Sequence, residues 1–271
     1  MNDVTARPPE GDWLGTPYLT FERRGPLAVV TVDRPEMRNA MSPAMYFGVR
    51  YAIDRVNADP ALVGLLLTGT GDFFIPGGDL AGGGDDDWGF PTLLGMDMAP
   101  YEAFRTSAKP IVCAVNGVAA GAGANVALAC DLVVAGRSAS FLQAFARIGL
   151  MPDSGGTYFL PRLVGTARAL GLALLADKLP AEEAARIGLI WKCVDDAQLM
   201  DEARAIAAAF GKGPTKAYEA IKEALYASPH NSLDAQLNFE RDVQRELGRT
   251  EDYREGVTAF MEKRAPNFKG K

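Results

Sequence analysis

Two glycine-rich turns, each placed directly after an apolar run, constrain this chain more than any other feature. FIPGGDL at 74–80 follows the run Gly64-Leu65-Leu66-Leu67-Thr68, and NGVAAGAGANVALACDLVVAG at 116–136 follows the apolar run 111–115 and continues as a small-residue helix. A turn of this kind presents backbone N–H groups beside a helix start. Two such turns side by side form a site for a developing negative oxygen, an oxyanion hole.

The run YLTFERRGPLAVVTVD at 18–33 reads as two short strands turning at Gly25-Pro26, the second (27–32) the more buried. A helix is expected from Ser42, a natural N-cap with Pro43 at the first helical position, to Val56, where Asp59-Pro60 stops it. Strand and helix then alternate through a helical stretch near Tyr101 and strands at 65, 111–115 and 132–135, which implies a parallel α/β architecture. From 181 onward β-branched runs thin out and helical periodicity dominates at 201–210, 215–227, 232–247 and 250–263. The expected organisation is a flexible tail at 1–17, an α/β core at 18–200 and a helical region at 201–271 that packs on a neighbouring subunit. AGGGDDDWGFPTLLGMDMAP at 81–100 reads either as a tolerated surface insertion or as a lid over a substrate.

Composition removes several function classes. With 48% apolar and 23% charged residues, 271 residues suit a soluble protein with a large core. The 28 Lys and Arg against 34 Asp and Glu give a net charge of -6, no footprint for nucleic acid. No segment has the roughly 18 apolar residues of a membrane span, and the start of the chain does not read as a signal peptide. Cys113, Cys130 and Cys193 are odd in number and sit in apolar runs, so they read as reduced core residues of a cytoplasmic protein, not as disulfides or metal ligands. His230 is the single histidine and has no serine or cysteine motif to join in a triad.

Five blocks then occur in order: RPEMRNAMS at 34–42, LLLTGTGDFFIPGGDL at 65–80, AVNGVAAGAGANVALACDLVVAG at 114–136, FARIGLMPDSGGTYFLPRLVG at 145–165 and EGVTAFMEKRAPNFKG at 255–270. Together they resemble the crotonase, or enoyl-CoA hydratase/isomerase, superfamily, over nearly the whole chain. The resemblance implies an α/β superhelix of ββα units with a C-terminal helical trimerisation region, assembled as a homotrimer or dimer of trimers. It also implies acyl-CoA substrates, with coenzyme A arriving as part of the thioester and no permanently bound cofactor or metal. Carried over position by position, the oxyanion donors are the N–H groups of Gly78 and Ala122. Ala122 stands where relatives usually have Gly, and Pro76 where a small residue such as Ala is common. Glu36, Met37 and Arg38 fall near the nucleotide of coenzyme A, and Phe260 and Lys263, contributed by an adjoining subunit, near its adenine. Taken singly, Arg38 and Lys263 also read as solvated surface charges.

Family hydratases use two glutamates, whose positions are occupied here by Asn125 and Phe145. Neither exchanges a proton at neutral pH. Asp153 stands instead at a turn where the hydratases usually carry Gly, and QAFARIGLMPDSGGT at 143–157 resembles the ring-1,2-epoxyphenylacetyl-CoA isomerase-like members. One carboxylate that moves a proton between two carbons beside an oxyanion hole describes a double-bond-shifting enoyl isomerase. On pattern alone Asp153 reads first as an N-cap of a helix starting near Ser154; the resemblance favours catalysis. Asn125 reads either as a partner of substrate or water, or as a buried polar plug. Asp79 and Asp131 read as structural, whereas Glu102 and Asp85 to Asp87 are acids of unfixed direction. The competing functions are a hydratase or hydrolase that positions water with Asp153 or Asn125, and a non-catalytic acyl-CoA-binding subunit.

Overall fold

The computed structural model describes residues 14–80 and 99–271. The expectations for most of the tail and for the 81–98 part of the lid or insertion, with Asp85 to Asp87, lie outside the described residues. Residues 14–17 are not loose, because Leu14 is fully buried beside Gly48 of the first helix.

A six-stranded sheet has the order β1 (Leu19–Arg24), β2 (Leu27–Val32), β3 (Gly64–Gly69), β5 (Ile111–Val115), β7 (Leu132–Gly136), β10 (Lys192–Val194). Only β1 with β2 is antiparallel. Alternation along these strands divides two cores. Leu65, Leu67, Cys113, Val115 and Val133 face the main core, whereas Leu66, Val112, Ala114 and Val134 face a second cluster with Leu199, Ala203 and Ala207. Cys130 is also buried in the main core.

Short strands form a second sheet of order β4 (Phe73–Ile75), β6 (Val118–Ala120), β8 (Ser140–Leu142), β9 (Leu179–Pro180). Each long strand β3, β5 and β7 is thus followed by a short one and then a helix, giving the expected ββα units. The helices of the body are α1 (Pro43–Ala58), α2 (Ala99–Thr106), α3 (Ala122–Ala129), α4 (Gly156–Val164), α5 (Thr166–Leu175) and α6 (Ala181–Arg186). Ser42 holds the N-cap position of α1 in extended backbone, but its side chain does not cap the helix.

Four helices close the chain: α7 (Leu199–Phe210), α8 (Thr215–Ala227), α9 (Leu233–Leu247) and α10 (Glu251–Glu262). The first belongs with the body, since α7 covers the second face of the large sheet against β3, β5 and β7. Ser232 and Thr250 cap α9 and α10 through their side chains, and α8 and α9 bury no residue within the single chain.

Candidate functional site

Strands β4, β6 and β8 lie side by side and parallel, so their carboxyl ends share one edge. The two glycine turns and the 143–154 segment all leave from that edge, the place where α/β folds gather ligands. Sequence separation between these segments is thereby cancelled by sheet order.

Each expected donor follows a glycine in the positive-φ region, Gly77 at 131° before Gly78 and Gly121 at 53° before Ala122. Only glycine adopts such angles cheaply, so it turns the chain and leaves the next residue free to hold ordinary backbone angles. Ala122 is therefore unstrained despite its methyl group. Gly78 is fixed by its neighbours: Met41 N donates to Gly77 O at 3.0 Å and Asp79 N donates to Met41 O at 3.0 Å. In a parallel bridge this turns the N–H of Gly78 itself away from residue 41. Ala122 opens α3, whose first N–H groups have no intrahelical acceptor, and Gly121 N is tied to Leu142 O at 2.8 Å. A Cβ on Gly123 would lie 2.1 Å from Ile75 O, so glycine there lets α3 meet β4.

The Asp79 carboxylate lies beneath the first turn and accepts from Arg34 Nη1 at 2.8 Å, with both side chains buried. Arg34 Nη1 also donates to Ala40 O, and Asn39 donates to the carbonyls of Thr70 and Phe73. Asp79 thus orders the turn. Asp131 is structural too, accepting from Ile111 N, Lys222 Nζ and Tyr226 Oη.

Gly78, Ala122 and Asp153 line one cavity of about 140 Å³, together with Phe145, Tyr46, Tyr101 and Ser154. Asp153 is the only carboxylate among the described residues of that wall. It is not the cap of α4: Gly155 holds that position, and Asp153 contributes only its carbonyl, which accepts from Gly156 N at 2.8 Å. Its carboxyl remains open to water, yet the surrounding protein pushes its pKa upward, against the opposing hydrogen bonds from Ser154 and the residue's own N–H. Phe145 is buried and presents an apolar ring beside Gly121.

Asn125 does not line the cavity. It is fully buried in α3, donates Nδ2 to Asp153 O at 2.8 Å and accepts from Gln143 Nε2 at 2.8 Å. The side chain is a polar strut under the Asp153 turn, set to hold the backbone and not to touch a ligand.

Of the residues expected near coenzyme A, Glu36 and Met37 form a short 3₁₀ turn ending at exposed Arg38, which lies over the Phe73 ring at 5.5 Å. Phe260, 81% exposed, lines a separate apolar cavity between α8, α9 and α10, and Lys263 ends α10 in a left-handed conformation. Neither reaches the Asp153 cavity within one chain. Glu102, in the first turn of α2, is exposed and is not part of the cavity wall.

Residues 22–271 match the family model described as enoyl-CoA hydratase/isomerase. The chain belongs to the enoyl-CoA hydratase/isomerase family. Within the family it is 48% identical over 254 residues to a probable enoyl-CoA hydratase of Rhodobacter capsulatus, covering 93% of this chain and 98% of that protein. It is 45% identical over 247 residues to the 1,2-epoxyphenylacetyl-CoA isomerase of Escherichia coli, covering 89% and 94%. The crystal structure of a putative enoyl-CoA hydratase from Streptomyces coelicolor A3(2) superposes with a TM-score of 0.88 at 33% identity, covering 98% of each chain. The family's crotonase fold is therefore the fold of this chain.

Tyr46, Tyr101 and Ser154 were not marked by the sequence as site residues. A tyrosine on an amphipathic helix reads as core, and a serine after an aspartate reads as part of a turn; only the packing of α1 and α2 over the cavity selects them.

Proposed function

We propose that this family member is an enoyl-CoA isomerase. The observation that carries the proposal is the cavity wall, where two backbone N–H groups meet Asp153, the one carboxylate among its described residues, while the positions of the two hydratase glutamates hold a buried strut, Asn125, and an apolar ring, Phe145. The N–H groups of Gly78 and Ala122 hold the thioester oxygen as negative charge develops there. Asp153 takes a proton from one carbon of the acyl chain and returns it to another, moving the double bond with no change in composition. A carboxyl raised by its surroundings suits a base that must also release its proton. Likeness to a 1,2-epoxyphenylacetyl-CoA isomerase supports isomerisation of an acyl-CoA thioester in the wider sense.

Coenzyme A arrives with the substrate, its phosphates near Arg38, and no resident cofactor is needed. Assembly as a trimer or dimer of trimers is supported by large apolar side chains left exposed on α5, α8 and α10, among them Leu174, Leu225 and Phe260. Among the described residues no helix is long and apolar enough to cross a membrane.

Incubation with 3-enoyl-CoA in heavy water tests the function. An isomerase shifts the double bond and exchanges an α or γ proton, and Asp153→Asn abolishes both. Likeness to a probable hydratase keeps a second reading in play, and a product heavier by one water, or free coenzyme A, would decide for hydration or hydrolysis. Binding without turnover across a panel of thioesters would leave only a carrier.

A further inference from the structure

Ser154 is 3% exposed and holds a left-handed conformation, φ 51°, that is rare outside glycine. A non-glycine residue kept at such an angle beside a candidate base invites a physical reason. The conformation brings its hydroxyl back onto the preceding residue, where Ser154 Oγ donates to Asp153 Oδ1 at 2.8 Å. Behind it stand two tyrosines from different helices. The Tyr101 hydroxyl, from α2, interacts with those of Ser154 and Tyr46. Tyr46, from α1, has its ring 5.5 Å from that of Tyr101, and its buried hydroxyl lies near that of Tyr101 without being aligned for a hydrogen bond. All four residues line the same cavity.

We propose that Ser154, backed by Tyr101, is the positioning residue for Asp153: it occupies Oδ1 and leaves Oδ2 as the one oxygen that works on the acyl group. The proposal rests on Asp153 being the base. In the step it implies, Oδ2 forms an O–H bond as a C–H bond breaks, and the electron pair left on carbon passes through the conjugated system to the thioester oxygen held by Gly78 and Ala122. Return of a proton from Oδ2 to the other carbon restores the carboxylate, so no further reactant is required, and exchange of that proton with water while it rests on Oδ2 carries solvent hydrogen into the product. Holding one oxygen prevents the carboxyl from rotating its proton away from the substrate.

The donors behind the carboxylate stay protonated at neutral pH. Burial pushes Tyr101 up to about 12 and Tyr46 well above the ordinary tyrosine value. Among the described residues these two tyrosines are the titratable groups facing Asp153; Glu102 is exposed on α2 and Arg147 is turned away to Ala176 O. A hydrogen bond to the ionised form lowers an acid's pKa, so the Ser154 hydroxyl opposes the upward push of burial. Its removal must raise the carboxyl further.

The decisive measurement is a ¹³C NMR titration of the full-length protein labelled at the aspartate carboxyls, the Asp153 signal being the one lost in Asp153→Asn. Ser154→Ala and Ser154→Gly are both expected to raise its midpoint by about one pH unit, with a smaller rise for Tyr101→Phe. Glycine fits the left-handed backbone without strain, so Ser154→Gly separates loss of the hydroxyl from loss of the fold. The acidic limb of kcat/KM should move upward by the same amount. An unmoved Asp153 midpoint in Ser154→Gly overturns the positioning role. The titration is read on ligand-free protein, so a shifted midpoint alongside no double-bond shift in the wild type would sink the isomerase function and leave the grip of Ser154 on Asp153 intact.

Discussion

The side-chain amide of Asn125 donates to the backbone carbonyl of Asp153 over 2.8 Å and so ties the central helix α3 to the turn that carries the candidate base. The same amide accepts from Gln143, and a Cβ added at Gly156 would lie 2.3 Å from Asn125 Nδ2. Position 125 has no room to grow. Asn125→Ala should cost about 2–3 kcal/mol, read by urea unfolding, by leaving the buried Gln143 amide without its acceptor and removing one of the two hydrogen bonds to Asp153 O. Asn125→Glu should destabilise comparably and gain no hydratase activity, since its side chain meets the turn and not the cavity.

Ala122→Pro deletes one proposed oxyanion donor while respecting the helix, because Ala122 is the first residue of α3 and proline is tolerated there. The expected result is a kcat lower by about 100- to 1,000-fold with near-wild-type unfolding. An unchanged kcat would remove Ala122 from the site.

Arg34 and Asp79 form a buried pair under the Gly78 turn, 3% and 7% exposed at the side chains. Asp79→Ala should cost about 3–5 kcal/mol in thermal or denaturant unfolding, because it strands a buried guanidinium. The double variant Arg34→Met/Asp79→Leu should recover most of that loss without recovering full activity, since the turn loses its anchor.

Asp153 bears on stability with a definite sign. Its folded-state pKa is raised by the surrounding protein, so the protonated form is favoured in the fold and that contribution disappears as pH rises through the folded value. Asp153→Asn should therefore melt no lower than wild type at pH 7. Any gain should shrink as the pH falls through the folded pKa, which thermal melts across pH will show.

Leu174 and Leu225 are 69% and 65% exposed in the single chain. Leu174→Asp and Leu225→Asp should leave the core intact by circular dichroism and lower the assembly's mass in sedimentation. Wild-type mass in both would exclude these faces from the proposed subunit contact.

Long elements were legible from residue pattern alone because they are long enough to show a period. β5 is an uninterrupted apolar run and β2 is broken only by Thr31, α1 begins where Ser42-Pro43 announces it, and α8 spans the expected residues. The three-residue strands β4, β6 and β8 carry no readable period, and they are the strands that make the site; only family resemblance implied ββα units. The boundary at 200 divided α7 from a body it packs on, because an amphipathic helix does not say which sheet it covers.

Sequence by itself determined the two glycine turns, the absence of ionisable side chains at 125 and 145, and the presence of Asp153. These are matters of residue type and local backbone. Only tertiary structure decided what surrounds them: Asn125 became a strut because α3 lies under the Asp153 turn, Gly155 took the cap, and Tyr46 and Tyr101 came from two helices to stand behind Ser154. Such relations depend on the order of β4, β6 and β8 in the small sheet, which brings together segments dozens of residues apart, and no local propensity encodes that order.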